Sequence, residues 1–222
     1  MISVLIPVWN TPPVYLKECI ESCLFQTIQD YEIVVIDNDS DAIGTINTLN
    51  EYKNNEKINI FKCPRQEGKK NLSIALNYGL KHCKYNFVAR MDSDDIMCYD
   101  RLEKQRDYML ANENIDVLGG QIFVFPDGYS TAHPTKITKE LALKSQWFIN
   151  HPTVMFKKDK ILNIGGYRDY PELFAEDYDL WIKCLINDYK IVNLSDILVR
   201  YRAHATNLTK KTMTNPNYSK DM

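Results

Sequence analysis

Apolar runs of strand length alternate with stretches of helical period through the first half of the chain. The run Ser3-Val4-Leu5-Ile6-Pro7-Val8 predicts a strand from Ser3 to Val8. Pro12 and Pro13 suit the first turn of a helix, in which Leu16, Ile20, Cys23 and Leu24 recur at i, i+4, i+7 and i+8. A strand at Tyr31 to Ile36, a helix at Ile43 to Tyr52, a strand at Ile58 to Lys62, a helix carrying Leu72, Leu76 and Leu80, and a strand at Tyr85 to Met91 continue the alternation, with a further helix beginning near Tyr99. This is the pattern of βαβ units feeding a mostly parallel sheet. After about Asp116 the pieces shorten: Val117 to Phe125 with a Pro126-Asp127-Gly128 turn, Thr153 to Phe156, a helix from about Asp177 to Asn187, and Ile197 to Tyr201. The predicted fold is α/β: a single Rossmann-like, mostly parallel sheet flanked by helices, with a mixed C-terminal half. Residues 206–222, rich in Asn, Thr and Lys, lack periodicity and read as a flexible tail.

Length and composition leave that picture intact. At 222 residues and 45% hydrophobic content the chain can bury a full core, and the length favours one domain. A net charge of −2 gives no overall attraction to nucleic acid, and the basic stretches are no longer than Lys69-Lys70 and Lys210-Lys211. The six cysteines form no CxxC pair and read as buried reduced thiols. The first strand begins too near Met1 for a charged n-region and an apolar h-region, and no apolar stretch approaches the roughly 20 residues needed to cross a bilayer. The expectation is a cytoplasmic protein without a transmembrane segment, with room for a peripheral contact at the cytoplasmic membrane face.

Chemistry concentrates at the predicted strand ends. In Arg90-Met91-Asp92-Ser93-Asp94-Asp95, three carboxylates crowd into four positions directly after an apolar run. Like charges this close are relieved by a divalent cation with hard oxygen ligands, Mn²⁺ or Mg²⁺, which would also grip a diphosphate. The same residues also suit a turn that caps the following helix. Strand two ends on a second polar group, Asp37-Asn38-Asp39-Ser40, and ligands of open α/β sheets bind outside the carboxyl ends of strands. The turn after strand one, Pro7 to Pro13, contains no glycine, so the dinucleotide fingerprint and the P-loop are both absent and a diphosphate must be held by metal and side chains. Trp9 in that turn suits stacking on a nucleobase or burial in the core. In Ala175-Glu176-Asp177-Tyr178-Asp179-Leu180-Trp181, the apolar positions Tyr178, Trp181, Ile182 and Leu185 put Glu176 and Asp177 at a helix amino terminus, as site carboxylates or as caps. Gly165-Gly166 suits a turn or a close approach to a ligand, and His204 follows the last predicted strand.

Eight segments, SVLIPVWN, VVIDNDS, NLSIALNYGL, ARMDSDD, HPTVMF, GGYRDY, AEDYDLW and YRAH, occur in an order and at spacings that resemble the family 2 glycosyltransferases, inverting enzymes of the GT-A fold with a DxD motif; the likeness runs from Ser3 to about His204. The resemblance implies that Pro7 and Trp9 line a base pocket, that Asp37 accepts a hydrogen bond from a uracil imide, and that Lys70 and Asn71 contact base or phosphate. It further implies that Asp92, with Ser93, faces the ribose, that Asp94 holds the metal together with Asp92 and His204, that Gly165 and Gly166 lie beside the donor, and that Asp177 is the catalytic base with Glu176 assisting. Asn38 and Asn71 depart from the Asp and Gly that many relatives carry there.

The expected activity is transfer of a sugar from a nucleotide-sugar donor, a UDP-sugar as first choice, to an acceptor hydroxyl in glycan or polysaccharide synthesis, with inversion at the anomeric carbon and Mn²⁺ or Mg²⁺ as cofactor. The resemblance implies a domain over residues 1–205, with a nucleotide-binding half (1–116) and an acceptor and catalytic half (117–205). Two alternatives carry different chemistry: a sugar-phosphate nucleotidyltransferase, whose glycine-rich turn after strand one is missing here, and a binding module without catalysis, which needs no base.

Overall fold

The computed structural model describes residues 1–69, 71–145, 147–170 and 175–204. Lys70 and the tail 206–222 therefore lie outside the described residues. The chain opens with strand β1 (Ile2–Val8), helix α1 (Pro13–Leu24), strand β2 (Tyr31–Asp37), helix α2 (Ile43–Tyr52), strand β3 (Ile58–Lys62), helix α3 (Asn71–His82) and strand β4 (Phe87–Arg90). Strand β5 (Ile96–Met97), helix α4 (Arg101–Ala111), strands β6 (Val117–Phe125) and β7 (Tyr129–Ser130), helix α5 (Lys139–Lys144), a 3-10 turn at His151–Thr153, strand β8 (Met155–Lys157), helices α6 (Lys158–Asn163) and α7 (Glu176–Ile186), and strand β9 (Ile191–Arg202) follow.

One sheet runs in the order β3-β2-β1-β4-β8-β6-β9-β5, with β7 paired to β6. Strands β3, β2, β1 and β4 are mutually parallel; β8 then runs antiparallel to both β4 and β6. The expected parallel sheet with a mixed second half is what forms. Strand β1 lies between β2 and β4 and every one of its residues is buried, which is why it reads as an unbroken apolar run. Its side chains nonetheless alternate between two cores: Val4, Ile6 and Val8 pack with Leu16, Cys19, Ile20 and Cys23 of α1, whereas Leu5 packs with Ala75, Leu76 and Leu80 of α3. Full burial of Leu16 and Ile20 stabilises this packing by about 2 kcal/mol each. Gly79 allows α3 to lie directly on β1, because a Cβ there would meet Leu5 Cδ1 at 2.3 Å.

Several sequence expectations need correction. The segment Thr153 to Phe156 is not one strand: Thr153 closes the 3-10 turn and β8 starts at Met155. The last strand begins at Ile191 rather than Ile197 and has 12 residues, with register shifts against β6 near Gln121. Leu24 is only partly buried, and Cys19 takes its place in the stripe of α1. All six cysteines are free, and five are buried while Cys98 is partly exposed. Among the described residues no helix is long and apolar enough to cross a membrane.

Candidate active site

The parallel strands β1, β2 and β4 deliver their carboxyl ends to one edge, with Val8 in register with Asp37 and Leu5 with Arg90. The turn after β4 carries Asp92, Ser93, Asp94 and Asp95, and several elements hold it. Arg90, 2% exposed, points both guanidinium Nη atoms at the two oxygens of Asp92. From α1, the Cys19 thiol donates to Asp92 O at 3.1 Å, and from the loop after β1, Thr11 Oγ1 shares a 2.6 Å hydrogen bond with Ser93 Oγ. At the end of β9, the Arg202 amide donates to Asp95 Oδ1 at 2.8 Å and its Nε to Asp94 O at 2.9 Å. The same guanidinium pairs with Glu18 and lies over the rings of Tyr15 (4.3 Å) and Phe125 (4.8 Å). His204 Nε2 hydrogen-bonds Asp94 Oδ2 at 2.9 Å.

The turn is short of positive charge. Burial and then Asp92 raise the pKa of Asp94, against the opposing hydrogen bond from His204. Asp95 is driven well above the carboxylate range by burial, Asp92 and Asp94, and among the described residues its buried Oδ2 has no hydrogen-bond partner. Among the described residues no group of three or more His, Cys, Asp or Glu is arranged to hold a metal ion. Asp94 with His204 nevertheless offers an oxygen and a nitrogen donor, and a divalent cation there would offset the crowded negative charge.

A second group of residues sits where α7 begins. No side chain caps this helix through the residue before it, Ala175; instead Asp177 Oδ1 accepts from the Tyr178 amide at 2.8 Å. Asp177 Oδ2 lies 4.0 Å from His151 Nδ1, and His151 Nε2 is 2.9 Å from the Tyr167 hydroxyl. Burial, followed by repulsion from Glu176, raises the Asp177 pKa from 3.8 to about 6. Burial and the nearby Arg90 cation push His151 well below its usual range, which keeps the imidazole neutral. Arg90 also lies within electrostatic reach of Glu176, Asp177 and Tyr167. One buried cation thereby connects the acidic turn to the start of α7.

The remaining sequence candidates are placed by their own contacts. Pro7 is buried in β1 beyond the stretch paired with β4, where its missing N–H is not needed by that neighbour. Trp9 is 51% exposed and its ring carries the Arg65 guanidinium at 4.1 Å. Asp37 is half-buried at the end of β2, with Oδ1 accepting from the Ser40 amide. The side chain of Asn71 closes its own loop through Gln66 and Lys69, and its carbonyl accepts from Asn38. Gly165 and Gly166 both have positive φ, 83° and 62°. At Gly166 a Cβ would meet Asn77 Oδ1 at 2.3 Å, and its carbonyl accepts from Lys183 Nζ, so its conformation answers to this chain's own packing.

Sequence reasoning missed Arg90, His151, Tyr167 and Arg202 as parts of the site. Each stands in a segment already singled out, ARMDSDD, HPTVMF, GGYRDY or YRAH, and a single cation directly before an acidic cluster was the available signal for Arg90. Arg101, fully buried in α4, was also missed; it donates to the carbonyls of Arg90 (2.8 Å), Pro152 (2.8 Å) and Val154 (3.2 Å), tying the end of β4 to the turn that carries His151.

Comparison with known proteins identifies the family and the fold. The model of the family described as Glycosyl transferase family 2 matches residues 3–167. The O-antigen biosynthesis glycosyltransferase WbnJ of Escherichia coli is 35% identical over 223 residues, covering 96% of this chain and 84% of the relative. Among solved structures, S. aureus TarS 1-349 in complex with UDP-GlcNAc has a similar fold, with a TM-score of 0.74 at 22% identity over 94% of this chain and 60% of that one. The mannosyltransferase PcManGT from Pyrobaculum calidifontis, in complex with GDP-Man and Mn²⁺, superposes with a TM-score of 0.72 at 16% identity, over 96% of this chain and 59% of that one. The chain thus spans about three fifths of these two solved chains.

Proposed function

Because the chain belongs to glycosyl transferase family 2, whose members move a sugar from a nucleotide-sugar donor to an acceptor, we propose that it takes the sugar from a UDP-sugar and passes it, with inversion, to an acceptor hydroxyl in glycan or polysaccharide synthesis. The observation that carries this reading is Arg90, a buried cation that pairs with Asp92 of the acidic turn after β4 and lies within electrostatic reach of Glu176 and Asp177. Donor-binding carboxylates and a carboxylate with a raised pKa then belong to one site, which neither a nucleotide-binding module nor a simple cap requires.

In this reading residues 1–116 hold the donor and residues 117–205 supply the acceptor side. Trp9 stacks on the base against Pro7, Asp37 accepts the imide N–H, and Lys70 and Asn71 line the base and phosphate side. Asp92 and Ser93 face the ribose, and Gly165 and Gly166 border the donor sugar. Mn²⁺ or Mg²⁺, held by Asp94 with Asp92 and His204, would offset the negative charge of the departing diphosphate. Asp177 accepts the acceptor's proton while the hydroxyl oxygen bonds to the anomeric carbon from the face opposite the diphosphate. The bond from that carbon to the diphosphate breaks, its electron pair leaving on the phosphate oxygen. Burial, with Glu176 adding to it, raises the Asp177 pKa to about 6 and thereby suits it to proton transfer. The reaction would run on the cytoplasmic side.

TarS carries UDP-GlcNAc and PcManGT carries GDP-Man, so donor choice within this fold must be measured. The test is a panel of UDP-, GDP- and dTDP-sugars with Mn²⁺, scored by thermal stabilisation and nucleoside diphosphate release. A true donor at 100 times its Kd stabilises the folded state by about 2.7 kcal/mol. Preference for a UDP-sugar in both readouts supports the reading. Pyrophosphate release from a nucleoside triphosphate and a sugar phosphate, with no release from any nucleotide sugar, would replace it with the nucleotidyltransferase alternative.

A further inference from the structure

The described residues leave one buried titratable group beside the proposed base without a role. His151 is 7% exposed, at the start of a turn whose backbone is fixed by Thr153 and by Arg101. Its ring stands edge-on to Trp181 at 5.8 Å and tilted against Tyr167 at 5.6 Å, so it has little freedom to rotate. Burial drives the Tyr167 hydroxyl far above the phenol range, so it keeps its proton, and the hydrogen-bond partner the structure gives that hydroxyl is His151 Nε2. With the imidazole neutral, a donating Tyr167 hydroxyl makes Nε2 the acceptor, and the ring proton then resides on Nδ1. That atom faces Asp177 Oδ2 at 4.0 Å.

We infer that His151 is a positioning residue for the reaction: its Nδ1–H, set in this tautomer by Tyr167, aims the Asp177 carboxylate at the acceptor hydroxyl. The inference rests on the reading of Asp177 as the base. The Tyr178 amide holds one carboxylate oxygen at 2.8 Å and the imidazole faces the other, so two contacts on different atoms define the plane of the group. The 4.0 Å separation is longer than a hydrogen bond and closes with a shift of about 1 Å, the kind of tightening that accompanies substrate binding. Among the described residues, the charged and titratable groups facing Asp177 are Glu176 on its own helix, Arg90 from β4, His151 from the turn and Tyr167 from the loop after α6. His151 is the one among them placed to donate a hydrogen bond to Oδ2 without adding a net charge.

The experiment compares wild type, His151→Phe, His151→Asn and Asp177→Asn for nucleoside diphosphate release at saturating donor from pH 5 to 9, with donor affinity from calorimetry. His151→Phe keeps a ring but no N–H; donor affinity should hold, kcat should fall about 10-fold or more, and the acidic limb of the kcat profile should move to higher pH because the ionised carboxylate has lost a donor. His151→Asn places an amide N–H near the Nδ1 position and should recover most of the rate and the limb. Equal losses for Phe and Asn with an unmoved limb, or wild-type behaviour of His151→Phe, would overturn the inference. If Asp177→Asn turns over normally, the base reading itself fails; if Asp177→Asn is inactive while His151→Phe matches wild type, only the role of His151 fails. Should His151→Phe not fold, Tyr167→Phe removes the tautomer lock alone, and it should lower kcat and move the limb in the same direction; an unchanged profile there overturns the inference.

Discussion

Asp177→Asn should make the protein more stable as it makes it inactive, and the size of the gain follows from the site. The carboxyl has a pKa raised from 3.8 to about 6 in the folded protein, so the folded state holds its proton more tightly than the unfolded state does. Stability associated with this group is fully present below about pH 4 and is lost as pH rises through about 6. About two pKa units correspond to about 3 kcal/mol above pH 7, with about half of that already lost at pH 5. The side chain is 31% exposed, and removing a negative charge from a helix amino terminus costs about 0.3–1 kcal/mol, so the net gain at pH 8 should be about 2 kcal/mol. Asparagine can still accept from the Tyr178 amide, since it ranks beside aspartate at helix starts. Urea unfolding followed by tryptophan fluorescence, for both proteins at pH 8 and pH 5, measures the effect. The variant should gain stability at pH 8, equivalent to about 4–8 °C in Tm, and gain less at pH 5. A destabilised variant at pH 8, or a gain equal at the two pH values, would refute the reasoning.

Other substitutions separate the roles of neighbouring residues. Arg90→Met leaves Asp92, Glu176 and Asp177 without their shared buried cation and should cost about 3–5 kcal/mol in urea unfolding at pH 8; a loss under 1 kcal/mol would mean that the cation does not hold the site together. Gly166→Ala meets both a positive φ and the Asn77 side chain and should cost about 1–3 kcal/mol, whereas Gly165→Ala, with open space around its Cβ, should cost less; the reverse order in chemical unfolding contradicts the packing. Asp37→Asn should reduce the preference for uridine over cytidine nucleotides in calorimetry, and an intact preference removes Asp37 from the base pocket.

The first half of the fold was legible because its strands are short apolar runs, with β1 and β2 buried on both faces, and its helices are amphipathic, giving two distinct periods. Helix α2 and strand β3 fall at the boundaries their apolar residues predict. The second half breaks that rule. Strand β9 carries Asn193, Ser195 and Asp196, which read as a loop, yet Asn193 is fully buried because its amide donates to the carbonyls of Pro134 and Phe148 at 2.8 Å each. Helices α5 and α6 have 6 residues each, too few to display a helical period. At the site, the carboxylates stood out in sequence because their clustering is unusual. The groups that hold them did not: Arg101 fills its buried position by donating to backbone carbonyls, and a carbonyl has no signature in a sequence. The approach of His151 to Asp177 joins residues 26 positions apart in the chain, one in a 3-10 turn and one in the first turn of α7, and only the fold determines it.

The central claim is that Asp94 serves donor binding and Asp177 serves the transfer of a proton from the acceptor. One experiment addresses both: donor affinity with Mn²⁺ and nucleoside diphosphate release at matched donor saturation, measured side by side for wild type, Asp94→Asn and Asp177→Asn. Asp94→Asn should fold and lose Mn²⁺-dependent affinity, while Asp177→Asn should bind donor as wild type does and release diphosphate roughly 10²-fold more slowly or worse. Unchanged Mn²⁺-dependent affinity in folded Asp94→Asn, or wild-type release by Asp177→Asn, would contradict the account.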